Sequence, residues 1–333
     1  MTDFYTESPE MSEYARREYS DALINLSRTG FPGYRTHDGA SELVRNFGAP
    51  LNLIVDTPPT ISQEYIGCDG LCEITRLRIQ VLPELPFYGL LFVPKFFSEK
   101  LPLVVASNGH LGTPELMYGM HGKNGYSDLT KRILRHNVAV FSPQFLLWNC
   151  GQSPAKPVYE TAYDRAALDR ELKKVCGGIT AVEVFCLLRS LVALSSNMRF
   201  LDMERVAACG MSYGAFLTLR AMAVSEKIRC GYFMACIAGG LDERFPEWFL
   251  KDKNKTPSDG ELMSMCAPRP VFAEVGAKDD IFELSDSTRE CEIARNAYRT
   301  CKTQENFHFN VWDGAHIVNP ADDGISFMIN AIK

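Results

Sequence analysis

Short apolar runs alternate with helix-periodic segments along most of the chain. The apolar runs have the length of buried strands, and they lie at residues 103–107, 206–211, 269–275 and 307–312. Other segments repeat apolar residues at helical spacing, at residues 127–136, 179–194, 213–222, 284–298 and 325–332. This alternation predicts an α/β fold with a mostly parallel, doubly wound sheet and helices on both faces.

The amino-terminal part of the chain has a different pattern. Its first 60 residues are largely polar, with helical periodicity that ends at the Pro32-Gly33 pair. Residues 71–93 alternate in the manner of antiparallel strands, with a turn between Pro83 and Pro86. We therefore predict a mainly helical extension at residues 1–60 and one main α/β domain at residues 61–333.

A Gly-x-Ser-x-Gly turn runs from Gly210 to Gly214 and joins a predicted strand to a predicted helix. A serine on so sharp a turn projects above the sheet, and the flanking glycines leave room for neighbouring backbone. Ser212 is therefore the predicted nucleophile. Because a serine hydroxyl reacts poorly by itself, a base and an orienting acid must follow in the chain, in the order acid and then histidine.

Two loops at strand ends supply candidates for the acid and the base. Asp279 follows one predicted strand, and His316 follows the last one. Only His308 and His316 come after the acid, and His308 lies inside an apolar run, so His316 is the predicted general base. Asp279 is the predicted acid, with Asp280 and Glu274 as close alternatives.

Acyl transfer by this constellation also needs backbone N–H groups aimed at the developing oxyanion. One predicted donor is the amide of Tyr213, directly after the nucleophile. The second is expected in the loop at residues 108–112, after an earlier strand, where the amide of His110 is preferred and Leu111 is next.

The ordered set resembles the α/β-hydrolase superfamily, in particular its dienelactone-hydrolase and acetyl (xylan) esterase-like branch. The resemblance extends from about Leu71 to the carboxyl end, and its matching segments are residues 88–95, 108–110, 202–206, 210–214, 267–270 and 313–319. Asn108 stands where these enzymes usually carry histidine, and Ala215 where they carry a second glycine. The resemblance implies an α/β-hydrolase catalytic domain that cleaves a short acyl or acetyl ester of a sugar or small metabolite.

Two insertions above the predicted sheet are candidate lids, at residues 145–163 and 241–262. The first contains Trp148, and the second contains Phe245 and Trp248. Together with Leu111, these aromatic residues are predicted to line a partly apolar substrate pocket. Packing against the domain beneath explains the aromatic residues equally well.

Composition narrows the range of partners. The net charge is −6 and there is no long run of Lys or Arg, which argues against a nucleic acid or an anionic membrane as partner. The amino terminus lacks the apolar core of a signal peptide, and we expect no apolar stretch of 18 residues, so a cytoplasmic location without membrane contact is predicted. Eleven cysteines without Cys-x-x-Cys spacing indicate free thiols, and we predict neither a metal site nor a cofactor.

The predicted function is a serine hydrolase with a small-molecule ester as its partner, and the sequence leaves open whether the chain forms a homo-oligomer. An acyltransferase or a C–C bond lyase would use the same triad with an acceptor other than water. A peptidase is less favoured because no propeller-like repeats precede the domain. A non-catalytic binding module is less favoured because the triad is complete.

Overall fold

A ten-stranded sheet forms the centre of the molecule. The computed structural model describes residues 4–5, 9–110, 112–120, 125–146, 163–237 and 245–333, with side chains from residue 17 onward. The strands are β1 (Phe4–Tyr5), β2 (Arg35–Thr36), β3 (Leu53–Ile54), β4 (Thr60–Cys68), β5 (Cys72–Leu82), β6 (Leu85–Pro94), β7 (Leu101–Ser107), β8 (Ala139–Gln144), β9 (Leu201–Met211), β10 (Cys230–Met234), β11 (Val271–Gly276) and β12 (Phe307–Trp312).

Helices connect most of the later strands, which is why their sequence shows the 3.6-residue period. They are α1 (Pro9–Thr29), α2 (Glu42–Phe47), α3 (Pro114–Tyr118), α4 (Leu129–Leu134), α5 (Arg165–Val175), α6 (Gly178–Asn197), α7 (Tyr213–Val224), α8 (Asp259–Cys266), α9 (Leu284–Thr300) and α10 (Asp323–Asn330). The segments predicted to be helical between residue 127 and the carboxyl end correspond to α4, α6, α7, α9 and α10.

The order of the strands brings the ends of several loops together. The ten strands lie in the order β1-β4-β5-β6-β8-β7-β9-β10-β11-β12. Neighbours from β8 to β12 are parallel, whereas the pairs from β1 to β8 are antiparallel. Because the carboxyl ends of parallel strands share one edge of a sheet, the loops after β7, β9, β11 and β12 meet there. The prediction of a mostly parallel sheet is confirmed.

Helices cover both faces of the sheet, and two apolar clusters fill the spaces between the layers. One cluster includes buried side chains of α1, α5, α6, α7, α8 and α9, and the other includes those of α3, α4 and α10. Tyr19, Leu23 and Leu26 of α1 belong to the first cluster. The helix of the predicted amino-terminal extension therefore shares the core of the main domain.

Helix α6 is the only helix in the described part of the chain that is long and apolar enough to cross a membrane. The expectation that no such stretch exists is wrong, because Glu183 and Arg189 are its only charged residues. In this structure, however, 78% of its apolar window is buried inside the protein. Its composition is that of a core helix covered on nearly all sides.

Candidate active site

Ser212 lies at the tip of the turn between β9 and α7. Its backbone angles are φ 55° and ψ −123°, a left-handed conformation that is strained for a residue with a side chain. Its amide donates to the Met234 carbonyl at 2.8 Å, and its carbonyl accepts from the Phe216 amide at 3.0 Å. These bonds to β10 and α7 hold the strained turn in place.

The glycines of the turn are required by close backbone contacts. A Cβ on Gly210 would lie 2.4 Å from the carbonyl carbon of Gly214. A Cβ on Gly214 would lie 2.2 Å from the Ser107 carbonyl oxygen and 2.5 Å from that of Asn108. The helix that follows Ser212 therefore packs directly on the loop that leaves β7.

Replacing Gly214 with alanine is expected to destabilise the protein by about 1–3 kcal/mol, because the added methyl overlaps backbone that cannot rotate away. The matched control is Gly39→Ala, since the nearest atoms to a Cβ there belong to the His37 side chain. Urea unfolding of both variants measures the difference. Equal losses in the two variants would show that the tight contact at Gly214 has no energetic weight.

Asp279 and His316 meet at the same edge of the sheet. The Nδ1 atom of His316 lies 2.8 Å from Oδ2 of Asp279, and their side chains are 14% and 2% exposed. The other carboxylate oxygen, Oδ1, accepts the amides of Ile281 at 2.8 Å and Phe282 at 3.1 Å. Asp280, the alternative acid, is exposed. Of the two neighbouring aspartates, Asp279 is thus the one paired with the histidine.

The surroundings of Asp279 favour its charged form. Burial by itself raises the pKa of this carboxyl group, but the hydrogen bond and charge of His316 lower it, as do the two amides on Oδ1. The net result is a pKa below the usual aspartate value. Because Nδ1 of His316 is engaged by a carboxylate, its Nε2 is the atom left to exchange a proton with a nucleophile.

Glu274, the third acidic candidate, has a different role. It is buried in β11, where it accepts hydrogen bonds from the Tyr232 hydroxyl, from Asn310 at 2.7 Å and from Asn319 at 2.9 Å. Asn319 follows His316 by three residues, so Glu274 anchors the histidine loop to the sheet. A glutamate inside an apolar strand was the sequence signal for such an anchor.

The loop after β7 packs closely against Ser212. A Cβ on Gly109 would lie 3.2 Å from Cβ of Ser212. Asn108 Nδ2 donates to the carbonyl oxygens of Gly109 at 3.1 Å and Gly112 at 2.9 Å, and so closes the loop on itself. The asparagine that departs from the family pattern therefore braces this loop.

The two predicted oxyanion donors are the amides of the residues that follow Ser212 and Gly109 in the chain. Tyr213 begins α7, and His110 follows Gly109. Desolvation, together with the charges of Arg165 and His316, lowers the pKa of the His110 side chain to about 4, so the ring is neutral at pH 7. Among the described contacts, the Ser212 hydroxyl makes no hydrogen bond to His316. Such bonds are often long in unliganded sites.

The predicted pocket residues divide into two groups. Leu111 and Trp148 lie outside the described residues, as do residues 147–162 of the first candidate lid and residues 241–244 of the second. Trp248 is buried, with its ring centroid 4.5 Å from those of both Phe216 and Phe245. Packing beneath the site thus accounts for Trp248, while half-buried Phe245 covers its other face. An aromatic residue that was not predicted, Phe282, packs near His316, with 5.6 Å between the two ring centroids.

A group of buried charged side chains contacts Tyr213, the residue after Ser212, and sequence analysis did not predict it. Arg165 donates to the Tyr213 hydroxyl at 2.6 Å and to Glu183 at 3.2 Å, and Glu247 lies 3.8 Å away. The Tyr213 hydroxyl in turn donates to Glu183 at 2.5 Å. We call Arg165, Glu183, Tyr213 and Glu247 the buried charge cluster. It fixes the side chain of the residue whose amide is a predicted oxyanion donor.

The same cluster holds the chain at the start of a candidate lid. Glu183 accepts the Leu146 amide at 2.7 Å, and Arg165 donates to the Leu146 carbonyl at 2.7 Å.

Within the described residues, no group of three or more His, Cys, Asp or Glu side chains could hold a metal ion. The ten described cysteines are free thiols, and most of them are buried.

Comparisons with known proteins identify the fold. No model of a protein family matches the chain, and no curated protein matches it. Among solved structures, a glucuronoyl esterase from Solibacter usitatus matches at a TM-score of 0.62 and 13% identity, over 99% of this chain and 94% of that one. A family 15 carbohydrate esterase, a glucuronoyl esterase from Caldicellulosiruptor kristjansonii, matches at 0.56 and 16%, over 97% and 87%. A methylesterase matches at 0.61 and 14%, over 96% of this chain and 62% of its own. These structures are α/β-hydrolase-type esterases, and the chain therefore has the α/β-hydrolase fold.

Proposed function

We propose that this protein is a serine esterase that hydrolyses a carboxylic ester through an acyl-enzyme. The observation that carries the proposal is the Asp279–His316 hydrogen bond, at the sheet edge where Ser212 sits on its strained turn. The loop of Gly109 packs on Ser212 from the other side. Nucleophile, oriented base and backbone donors are the parts that acyl transfer needs.

The reaction follows from these parts. Ser212 Oγ attacks the ester carbonyl while His316 Nε2 takes its proton, and Asp279 stabilises the imidazolium that forms. The amides of Tyr213 and His110 hold the oxyanion of the tetrahedral intermediate. Collapse breaks the bond to the alcohol, which leaves with the proton from His316. A water that gives a proton to the same histidine then attacks the acyl-enzyme, and the carboxylic acid leaves.

The proposed substrate is a short acyl or acetyl ester of a small metabolite or a sugar. Two of the structural neighbours named above are glucuronoyl esterases, which favours an ester on a carbohydrate. Sequence identity to these neighbours is low, so the choice of a carbohydrate ester rests on the shared fold and on the site.

The test is chemical labelling with a fluorophosphonate probe, followed by peptide mapping. Folded protein should be labelled once per chain on the peptide that contains Ser212, and p-nitrophenyl acetate should give a burst of p-nitrophenol. Protein unfolded in urea is the control, since Ser212 loses its base and oxyanion donors there. Folded protein that takes no label, or takes it on another serine, would overturn the proposal.

A further inference from the structure

The segment at residues 125–127 contacts both loops that complete the site. Tyr126 is buried, and its hydroxyl oxygen accepts the Gly109 amide at 2.9 Å. On the other side, the Gly125 carbonyl accepts the Val318 amide at 2.8 Å, and the Ser127 hydroxyl donates to the Val318 carbonyl at 2.9 Å. We call residues 125–127 the clip.

We call the loop after β7, which contains Gly109, the oxyanion loop. Its contact with the clip is closely fitted. A Cβ on Gly112 would lie 1.9 Å from the Tyr126 hydroxyl oxygen, so that only glycine leaves room for it. The Gly112 amide donates to the Gly109 carbonyl at 3.0 Å, which holds these two glycines together. Burial raises the pKa of Tyr126, and the phenol stays protonated at neutral pH. Tyr126 therefore occupies a site that the oxyanion loop is shaped to receive.

The backbone of the clip is strained where it turns away from the site. Ser127 has φ 50° and Asp128 has φ 53°, two consecutive left-handed residues that are not glycine. Such a conformation is unfavourable for a residue with a side chain, and it persists only where surrounding contacts enforce it. At Ser127 these contacts include the hydrogen bond from its hydroxyl to the Val318 carbonyl.

We infer that Tyr126 is a positioning residue for the oxyanion loop, and that the clip sets the distance between this loop and His316. The inference rests on the proposed function. The Gly109 amide is occupied by Tyr126, so the oxyanion loop is held in one orientation against Ser212. A donor misplaced by a fraction of an ångström weakens stabilisation of the transition state but hardly changes binding of the substrate. The loss should therefore appear in kcat.

The test is Tyr126→Phe, with Tyr118→Phe as the matched control. Tyr118 is also buried and its hydroxyl contacts Asp69 and Cys72, so both variants lose one hydrogen-bonded phenol oxygen. For Tyr126→Phe, kcat on p-nitrophenyl acetate should fall about 10- to 100-fold while KM changes little. Phenylboronic acid, which forms a tetrahedral adduct with the nucleophilic serine, should bind more weakly in proportion to the loss in kcat/KM.

Ser127→Ala is the second variant, and it removes the bond to the Val318 carbonyl on the histidine side. It should lower kcat in the same way but less, and it carries the test if Tyr126→Phe does not fold. Unchanged kcat and boronate affinity in folded Tyr126→Phe, or equal losses in Tyr118→Phe, would leave Tyr126 with a structural role only. Wild-type protein without turnover or boronate binding would instead refute the proposed function itself.

Discussion

Asp279→Asn is expected to lower kcat for ester hydrolysis about 10⁴-fold while the protein remains folded. The amide keeps the size of the side chain and can still accept the backbone N–H groups of Ile281 and Phe282 through its oxygen. Its NH₂ group then faces Nδ1 of His316, which stabilises the tautomer with the proton on Nε2. That tautomer cannot take the proton of Ser212.

The control for this prediction is Asp280→Asn on the adjacent residue. Asp280 is exposed, so its substitution should leave both kcat and stability essentially unchanged. Steady-state kinetics with p-nitrophenyl acetate, together with thermal melts, separates the two variants. A large loss in Asp280→Asn and none in Asp279→Asn would reassign the acid and show that the observed pairing is not the working one.

Arg165→Met is expected to lower the free energy of unfolding by about 3–5 kcal/mol, since it leaves two buried carboxylates without their cation. The side chains of Arg165 and Glu183 are 2% and 0% exposed, and Glu247 is buried beside them. Methionine fills a similar volume, so the loss would report the charge rather than a cavity.

Arg170→Met is the matched control, because Arg170 lies on the same helix but is exposed. Its change in unfolding free energy should stay within about 0.5 kcal/mol. The double variant Arg165→Met/Glu183→Gln should recover part of the loss, as one of the uncompensated charges is removed with the cation. Urea unfolding at one pH measures all three. A similar small loss in Arg165→Met and Arg170→Met would mean that the buried charge cluster does not stabilise the fold.

Local pattern was enough to predict the sheet, the turn at Ser212 and the loops that carry Asp279 and His316. The strand, Gly-x-Ser-x-Gly turn and helix are contiguous, and each leaves a periodic signature in the sequence. The choice between Asp279 and Asp280 was not available from pattern, because it depends on which side chain turns back to bind the Ile281 and Phe282 amides. A difference of one residue in a loop changes no periodicity.

Contacts between distant segments could not be predicted in this way. Glu183 lies in a helix that is apolar enough to hide it, and its partner Arg165 belongs to another helix. The aromatic residue Trp248 looked equally suited to a pocket or to the core, and only the positions of Phe216 and Phe245 on its two faces favour the core. Tyr126 showed no motif at all, since its role comes from a loop that precedes it by 17 residues.

The buried charge cluster also bears on which part of this chain could be exchanged without loss of the fold. Leu146 is bound through its amide and its carbonyl to Glu183 and Arg165, and Arg165 itself begins the helix after residues 147–162. The residues on either side of that stretch, Leu146 and Arg165, are therefore held together within the buried charge cluster. Because the entropy of closing a loop grows only slowly with its length, segments of other lengths and sequences could be exchanged between these ends at small cost to the fold. We therefore expect the contacts of Leu146 and Arg165 within the buried charge cluster to survive an exchange of residues 147–162.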